Sequence, residues 1–278
     1  MLRCAAPTGP ADRVGYLCAM PEPARKVELP IAPPDGLPAS RGARFDRLDA
    51  LRGAAMLWMT GFHACFDLNL QGLIGRQNFY QDPFWTVQRT LILSLFLACA
   101  GAGQAVAQRQ GVPWPRFWRR WSQVLLCALA VSLGSWWMFG PRWISFGVLH
   151  ALALMTLLAR LLATQKPAWL LALALACLLL PLGWSHALFD SRWTDWFGLA
   201  TRKPPTEDYV PLLPWFGVLL GGLLAMGALL RRRPAWVGGA LPRALQPLAL
   251  LGRWSLTYYM LHQPVLLGLI GAWVAWRG

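Results

Sequence analysis

Acidic residues are scarce in this chain: 12 Asp and Glu stand against 26 Lys and Arg, for a formal charge of +14. Charged residues of either sign make up only 14% of 278 residues, too few to clothe a soluble domain of that length. The motifs of soluble enzymes are missing, with no GxGxxG, GxSxG, HExxH or phosphate-binding loop. GAGQAVA at 101–107 lies inside an apolar run, where glycine serves helix packing rather than a nucleotide. No CxxC pair occurs among the six cysteines, and Cys65, Cys99, Cys127 and Cys177 fall in apolar runs. They read as small buried hydrophobes, which argues against disulfides and cysteine metal sites, and no metal is expected. No uninterrupted apolar stretch follows Arg3, so a secretory signal is not expected either.

What is present is apolar surface. The chain is 56% hydrophobic, carries 17 Trp and has a mean hydropathy of +0.40, which places it in the polytopic membrane class. Its arginines cluster between apolar runs, so the positive charge reads as topology and contact with anionic lipid rather than nucleic-acid binding. Residues 1–44 differ: Pro-rich and without apolar periodicity, they are expected to be disordered. That segment is either a cytoplasmic tail or translated upstream sequence, with Met20 as a later start.

From Asp49 onward, apolar runs near the ~20 residues that a bilayer requires follow one another. Seven are read, at about 49–70, 84–108, 119–139, 143–163, 167–184, 210–230 and 253–276. The expected fold is all-α, a polytopic transmembrane bundle of about seven helices spanning 45–278. Arg41, Arg44, Arg47 and Arg52, then Arg109, Arg116, Arg119 and Arg120, then Arg231, Arg232, Arg233, Arg243 and Arg253 occupy alternate connections. By the positive-inside rule the N-terminus is cytoplasmic and the C-terminus outside. Trp85, Trp136, Trp137, Trp143, Trp184 and Trp215 fall near outer helix ends, and Trp114, Trp118, Trp169, Trp236 and Trp254 near inner ones, as in an aromatic belt.

Ionisable residues inside such runs are costly and face a bundle interior or a water-filled cavity. His63 lies ~21 Å into the first helix at ~1.5 Å per residue, and Asp67 follows one turn farther out on the same face. Arg89 sits near the outer start of the second helix, His150 near that of the fourth, and His262 nearer mid-depth in the seventh. Their convergence on one depth predicts a polar cavity opening outward. The long outer connection at 185–209 mixes acids with Trp193, Trp196 and Phe197, as a lid or sugar-binding rim would, and as any interfacial loop would. In the next helix, Gly217 and Gly221 are read as a small-residue packing face.

RFDRLDALRGAAMLWMTGFHACFDL, WISFGVLHALAL, DYVPLLPWFGVLLGG and LGRWSLTYYMLHQPVLL together resemble the membrane acyltransferases related to heparan-alpha-glucosaminide N-acetyltransferase. The resemblance covers roughly 44–276. It implies a multihelical enzyme of the plasma (inner) membrane that takes an acetyl group from cytoplasmic acetyl-CoA and passes it to a sugar amine or hydroxyl on the envelope side. Asp49 and Arg52 would then lie near the CoA entrance, with Arg52 a partner for CoA phosphates or an inner-leaflet anchor. Arg89, Asp208 and Trp215 are the acceptor-binding candidates, and His63, Asp67, His150 and His262 the catalytic ones. His63 stands where eukaryotic members carry an active-site Asn. Residues 75–85 hold no histidine where those members carry their catalytic one. Either His63 takes the base role, or the reaction differs, or this chain does not acetylate. A transporter or flippase for an envelope intermediate, and a noncatalytic membrane component, are the other readings. The bilayer and a glycan are the expected partners, and self-association into a homo-oligomer is left open.

Overall fold

The computed structural model describes residues 45–277, so the expectation of a disordered tail at 1–44 lies outside the described residues. Those described contain helices and no strand, as the apolar runs imply. The nine helices are α1 (Asp46–Leu70), α2 (Pro83–Arg109), α3 (Trp114–Phe139), α4 (Val148–Leu162), α5 (Pro167–Gly183), α6 (Trp215–Arg232), α7 (Pro234–Gly238), α8 (Gln246–Arg253) and α9 (Ser255–Arg277). Of these, α2, α3 and α6 are long and apolar enough by composition to cross a membrane.

Local chemistry sets most boundaries. The Asp82 carboxylate accepts from Phe84 N at 2.8 Å and Pro83 opens the first turn, which caps α2 cleanly. Gly111, at φ +62°, turns the chain into α3. Two boundaries differ from the apolar pattern. The fourth helix begins at Val148 rather than 143, because 140–147 forms a turn and an extended approach whose groups bond elsewhere. Ile144 N, for one, donates to Ser135 Oγ at 2.9 Å. The sixth begins at Trp215 rather than 210, since Pro211 and Pro214 withhold the N–H groups a helix would need. The basic connection after α6 also contains two helices that hydropathy does not reveal, α7 and α8.

Close helix contacts are made by glycine. At Gly53 an added Cβ would run into Leu248 O of α8, and at Gly252 into Asp49 O of α1, so these two backbones touch. Gly101 of α2 meets Leu219 O of α6, and Gly222 of α6 meets Ala98 of α2. Gly217 faces Ala174 and Leu178 of α5, whereas Gly221 has nothing within 4 Å. The small-residue face of α6 is therefore Gly217 and Gly222, one toward each neighbour, and not the Gly217–Gly221 pair of the sequence reading. Around these contacts Leu97, Met155, Leu219 and Leu220 are fully buried.

The lateral surface is the reverse of a soluble protein's. On α3 only Ala128 and Ser135 are buried, while Leu126, Leu129 and Leu133 stand exposed on one face. Leu171, Leu175, Leu179 and Leu182 do the same on α5. Such bare leucine stripes require an apolar solvent.

The two ends of the bundle differ in charge. One gathers the starts of α1, α3 and α5 and the ends of α2, α4 and α6, with Arg160 donating to Val112 O and Gln108 to Ala163 O. Among the described acids only Asp46 and Asp49 are there, paired with Arg253 at 2.7 Å and Arg52 at 2.9 Å. The opposite end, beneath the connection 184–214, holds the other six described acids. These are called the basic end and the loop end below.

Replacing Gly53 by Val should separate α1 from α8 and cost about 1–3 kcal/mol, the range for overpacking a filled contact. Gly221→Ala should be silent. Thermal unfolding in detergent, followed by size-exclusion, compares the two.

Candidate active site

The Thr-Tyr-Tyr-Met-Leu-His-Gln segment of α9 lies along α1 in parallel orientation, so residue 258 meets 60 and residue 263 meets 67. The pairing brings His63 and His262 together, with ring centroids 5.3 Å apart at an interplanar angle of 58°. Aromatic rings wall them in. Phe62 stands edge-on to His63 at 5.9 Å, Tyr258 stacks on His262 at 6.1 Å, and Tyr259 lies 5.5 Å away. His262 is 8% exposed although α9 runs unbroken through Pro264.

Hydrogen bonding fixes the state of His262. Its Nδ1 lies 2.7 Å from Tyr259 O, and a carbonyl only accepts, so Nδ1 carries the proton. In the neutral ring Nε2 is then the lone-pair nitrogen, and it is buried without a hydrogen-bond partner. A buried acceptor left free beside a second imidazole suits proton abstraction.

Asp67, one turn beyond His63 on α1 and 2% exposed, is committed elsewhere. Gln263 Nε2 donates to its Oδ1 at 3.1 Å and its Oδ2 at 2.9 Å, and no hydrogen bond joins Asp67 to His63. The carboxylate therefore clasps α9 to α1 beside the histidines instead of orienting His63. A second clasp lies deeper: Thr60 donates to Met56 O at 2.9 Å and so accepts from Tyr258 OH at 2.7 Å.

His150 is not part of this pair. Ser132 donates to Ile144 O at 2.7 Å, so it accepts from His150 Nε2 at 3.1 Å, and His150 Nδ1 accepts from Gly147 N at 3.3 Å. Both nitrogens are occupied in tying α3 to the start of α4. Arg89 is exposed on α2 and its charge acts on Lys203, while the partner of Asp67 is Gln263. Trp215, half-buried, packs on the main core at the first residue of α6.

Asp208 caps α4, accepting from Val148 N at 2.8 Å, and Gly147 is required where its carboxylate sits. Burial raises its pKa above the ordinary value of 3.8, with the Val148 N–H and the Lys203 charge acting the other way. At the basic end Arg52 bonds Asp49 and Arg253 bonds Asp46, with Arg253 Nε 3.9 Å from Asp49. Arg52 faces Gly103 of α2, where an added Cβ would meet the guanidinium at an ordinary contact distance of 3.5 Å. No cluster of three or more His, Cys, Asp or Glu suited to a metal ion occurs among the described residues.

Sequence reasoning found both histidines but missed Gln263, Tyr258 and Thr60. Their signal was present: Gln263 follows His262 directly, and a carboxamide beside a histidine inside an apolar helix needs a partner as much as the histidine does.

An all-helical bundle with bare leucine flanks and a half-buried His63 against a buried His262 defines a membrane protein with a polar centre at one depth. The family model for the heparan-alpha-glucosaminide N-acetyltransferase catalytic domain matches residues 44–264, and the chain belongs to that family. Membership supports a membrane acyltransferase role. No curated protein and no solved structure matches the chain.

Because burial raises the Asp208 pKa, the native carboxyl binds its proton more tightly than the unfolded one. Its contribution to stability is greatest below the ordinary carboxylate value and is lost as pH rises through the native value. The thermal stability of the wild type relative to Asp208→Asn should therefore rise as pH falls from about 7 toward about 4. A difference independent of pH would contradict this.

Proposed function

We propose that the chain transfers an acetyl group from acetyl-CoA, arriving at the basic end, to an amine or hydroxyl of a glycan at the loop end. The observation that carries this reading is the His63–His262 pair, with one ring nitrogen free and buried. In this reading His262 Nε2 takes the proton from the attacking amine or hydroxyl as it adds to the thioester carbonyl. The proton then goes to the departing CoA thiolate. His63, whose ring centre is 5.3 Å away, is the second imidazole, a donor to the developing oxyanion or a relay for the proton. Direct transfer and an acyl-histidine intermediate both fit this pair.

Arg52, Arg253 and Arg47 would meet the CoA phosphates at the basic end, where guanidinium forks suit phosphate oxygens. Along α1 the distance from Arg52 to His63 is ~16 Å at ~1.5 Å per residue, a span that an extended pantetheine arm can bridge. With the basic end cytoplasmic, the seven helices of 15 or more residues cross the plasma (inner) membrane and the N-terminus lies inside. The segregation of arginines to that end supports this orientation. Lipid and a glycan acceptor are then the partners, with a homo-oligomer compatible and no role for nucleic acid.

Membranes from expressing cells, incubated with radiolabelled acetyl-CoA, should label an envelope glycan fraction. His262→Ala and His63→Ala should each lower labelling by about a hundredfold or more, the scale of a lost general base or its partner. Unchanged labelling in both variants would sink the assignment, and uptake of a glycan precursor without covalent change would favour transport.

A further inference from the structure

The outer flank of α3 joins unpaired cations to a bare apolar stripe. Arg119, Leu126 and Leu133 are seven residues apart, so each step drifts only about 20° from one line down the helix. All three are exposed, Leu126 at 64% and Leu133 at 67%, and Leu129 beside them is exposed too. Arg116, close to one turn before Arg119, is exposed as well. The opposite face of α3 is spent on α4 and the core. There Ala128 is fully buried, and Trp121 Nε1 donates to Ala153 O at 2.8 Å.

The aromatic collar beside these arginines is held by the protein itself. The Arg160 guanidinium of α4 lies 5.1 Å from the centre of the Trp114 ring and 5.8 Å from that of Phe117, and it donates to Val112 O. Trp118 stands 5.8 Å from Trp114 and edge-on to Trp121 at 5.3 Å, yet stays 44% exposed. Arg160 is thus occupied, whereas Arg116 and Arg119 form no ion pair among the described residues. The described acids of the basic end, Asp46 and Asp49, are already paired with Arg253 and Arg52. An exposed guanidinium is content in water, so charge alone selects nothing; the stripe beneath it does. Two other helices show the contrast. α5 carries its own stripe at Leu171, Leu175 and Leu179, but a single exposed cation, Lys166, stands at its start. α6 ends in exposed Arg231 and Arg232 and bears no exposed large apolar side chain.

We infer that the outer flank of α3 is a binding site for an anionic phospholipid of the leaflet at the basic end. Its phosphate lies between Arg116 and Arg119, whose guanidinium forks match phosphate oxygens, and its glycerol region lies against Trp118. An acyl chain then follows the helix. Leu126 is ~10.5 Å and Leu129 ~15 Å below Arg119 at ~1.5 Å per residue, which spans one leaflet of a ~30 Å hydrocarbon core. The site requires only a bilayer around the bundle, so it stands whether or not the histidine pair transfers acetyl groups.

The test uses the full chain, delipidated in neutral detergent and titrated with dioleoyl phosphatidylglycerol or dioleoyl phosphatidylcholine, with bound lipid counted by native mass spectrometry. The wild type should bind phosphatidylglycerol about tenfold more tightly than phosphatidylcholine. The double variant Arg116→Gln, Arg119→Gln should lose about that tenfold while keeping wild-type thermal unfolding and phosphatidylcholine binding. Arg231→Gln, Arg232→Gln removes the same charge from a helix end without a stripe and should bind phosphatidylglycerol as the wild type does. Glycerol phosphate, a headgroup without chains, should not compete even in large excess. Equal affinities for the two lipids, or displacement by glycerol phosphate, overturn the inference. So does an equal loss in the two double variants, because binding would then follow net charge rather than a site.

Discussion

The backbone-to-backbone crossing of α1 and α8 at Gly53 and Gly252 governs where the histidine pair can form. α8 has eight residues and passes through the single residue Trp254 into α9, so a contact at Gly252 fixes the origin of α9 against α1. Ten residues later, about 15 Å along the helix, His262 arrives beside His63. A side chain at either glycine would move that origin outward by the width of a methyl group or more, and the rings would part. Arg253, bonded to Asp46 and near Asp49, holds the same crossing by charge.

Away from that crossing, the bundle follows a rule of apolar surroundings: a polar side chain takes a protein partner because no water is there to serve. Asp67 takes Gln263, Thr60 takes Tyr258, and His150 takes Ser132 and the Gly147 amide. The buried polar atoms left without a partner are few, and His262 Nε2 is one of them. Its neighbour Gln263 spends its amide on Asp67 and leaves its own Oε1 free. The unpaired acceptors on α9 therefore cluster beside the histidine pair, where chemistry would use them.

Much of the helical architecture was legible as apolar runs, because a helix in lipid must be apolar over most of its length. α7 and α8 were not legible, since short amphipathic helices in a basic connection have neither the length nor the hydropathy of a span. Gly217 was read correctly as a packing residue, but its partner on α6 is Gly222. Spacing along a helix specifies a face, and only the neighbours say which face is pressed. In the candidate site, His63 and His262 were visible as costly groups, and so was Asp67. The sequence placed Asp67 one turn from His63 and could not show that its carboxylate turns across to Gln263.

By itself the sequence determined that this is a helical membrane chain with arginines gathered in alternate connections, because lipid admits few other arrangements of such residues. It also marked three histidines, an Asp and an Arg as groups that would need company. Which company they keep was decided by the tertiary structure alone. His150 went to Ser132 and a turn, Asp208 to the start of α4, and Asp67 to Gln263, leaving two histidines beside each other. The reason is physical: burial demands that each polar group be satisfied, but the partner comes from whichever helix is close, and closeness was set by glycines far from the site.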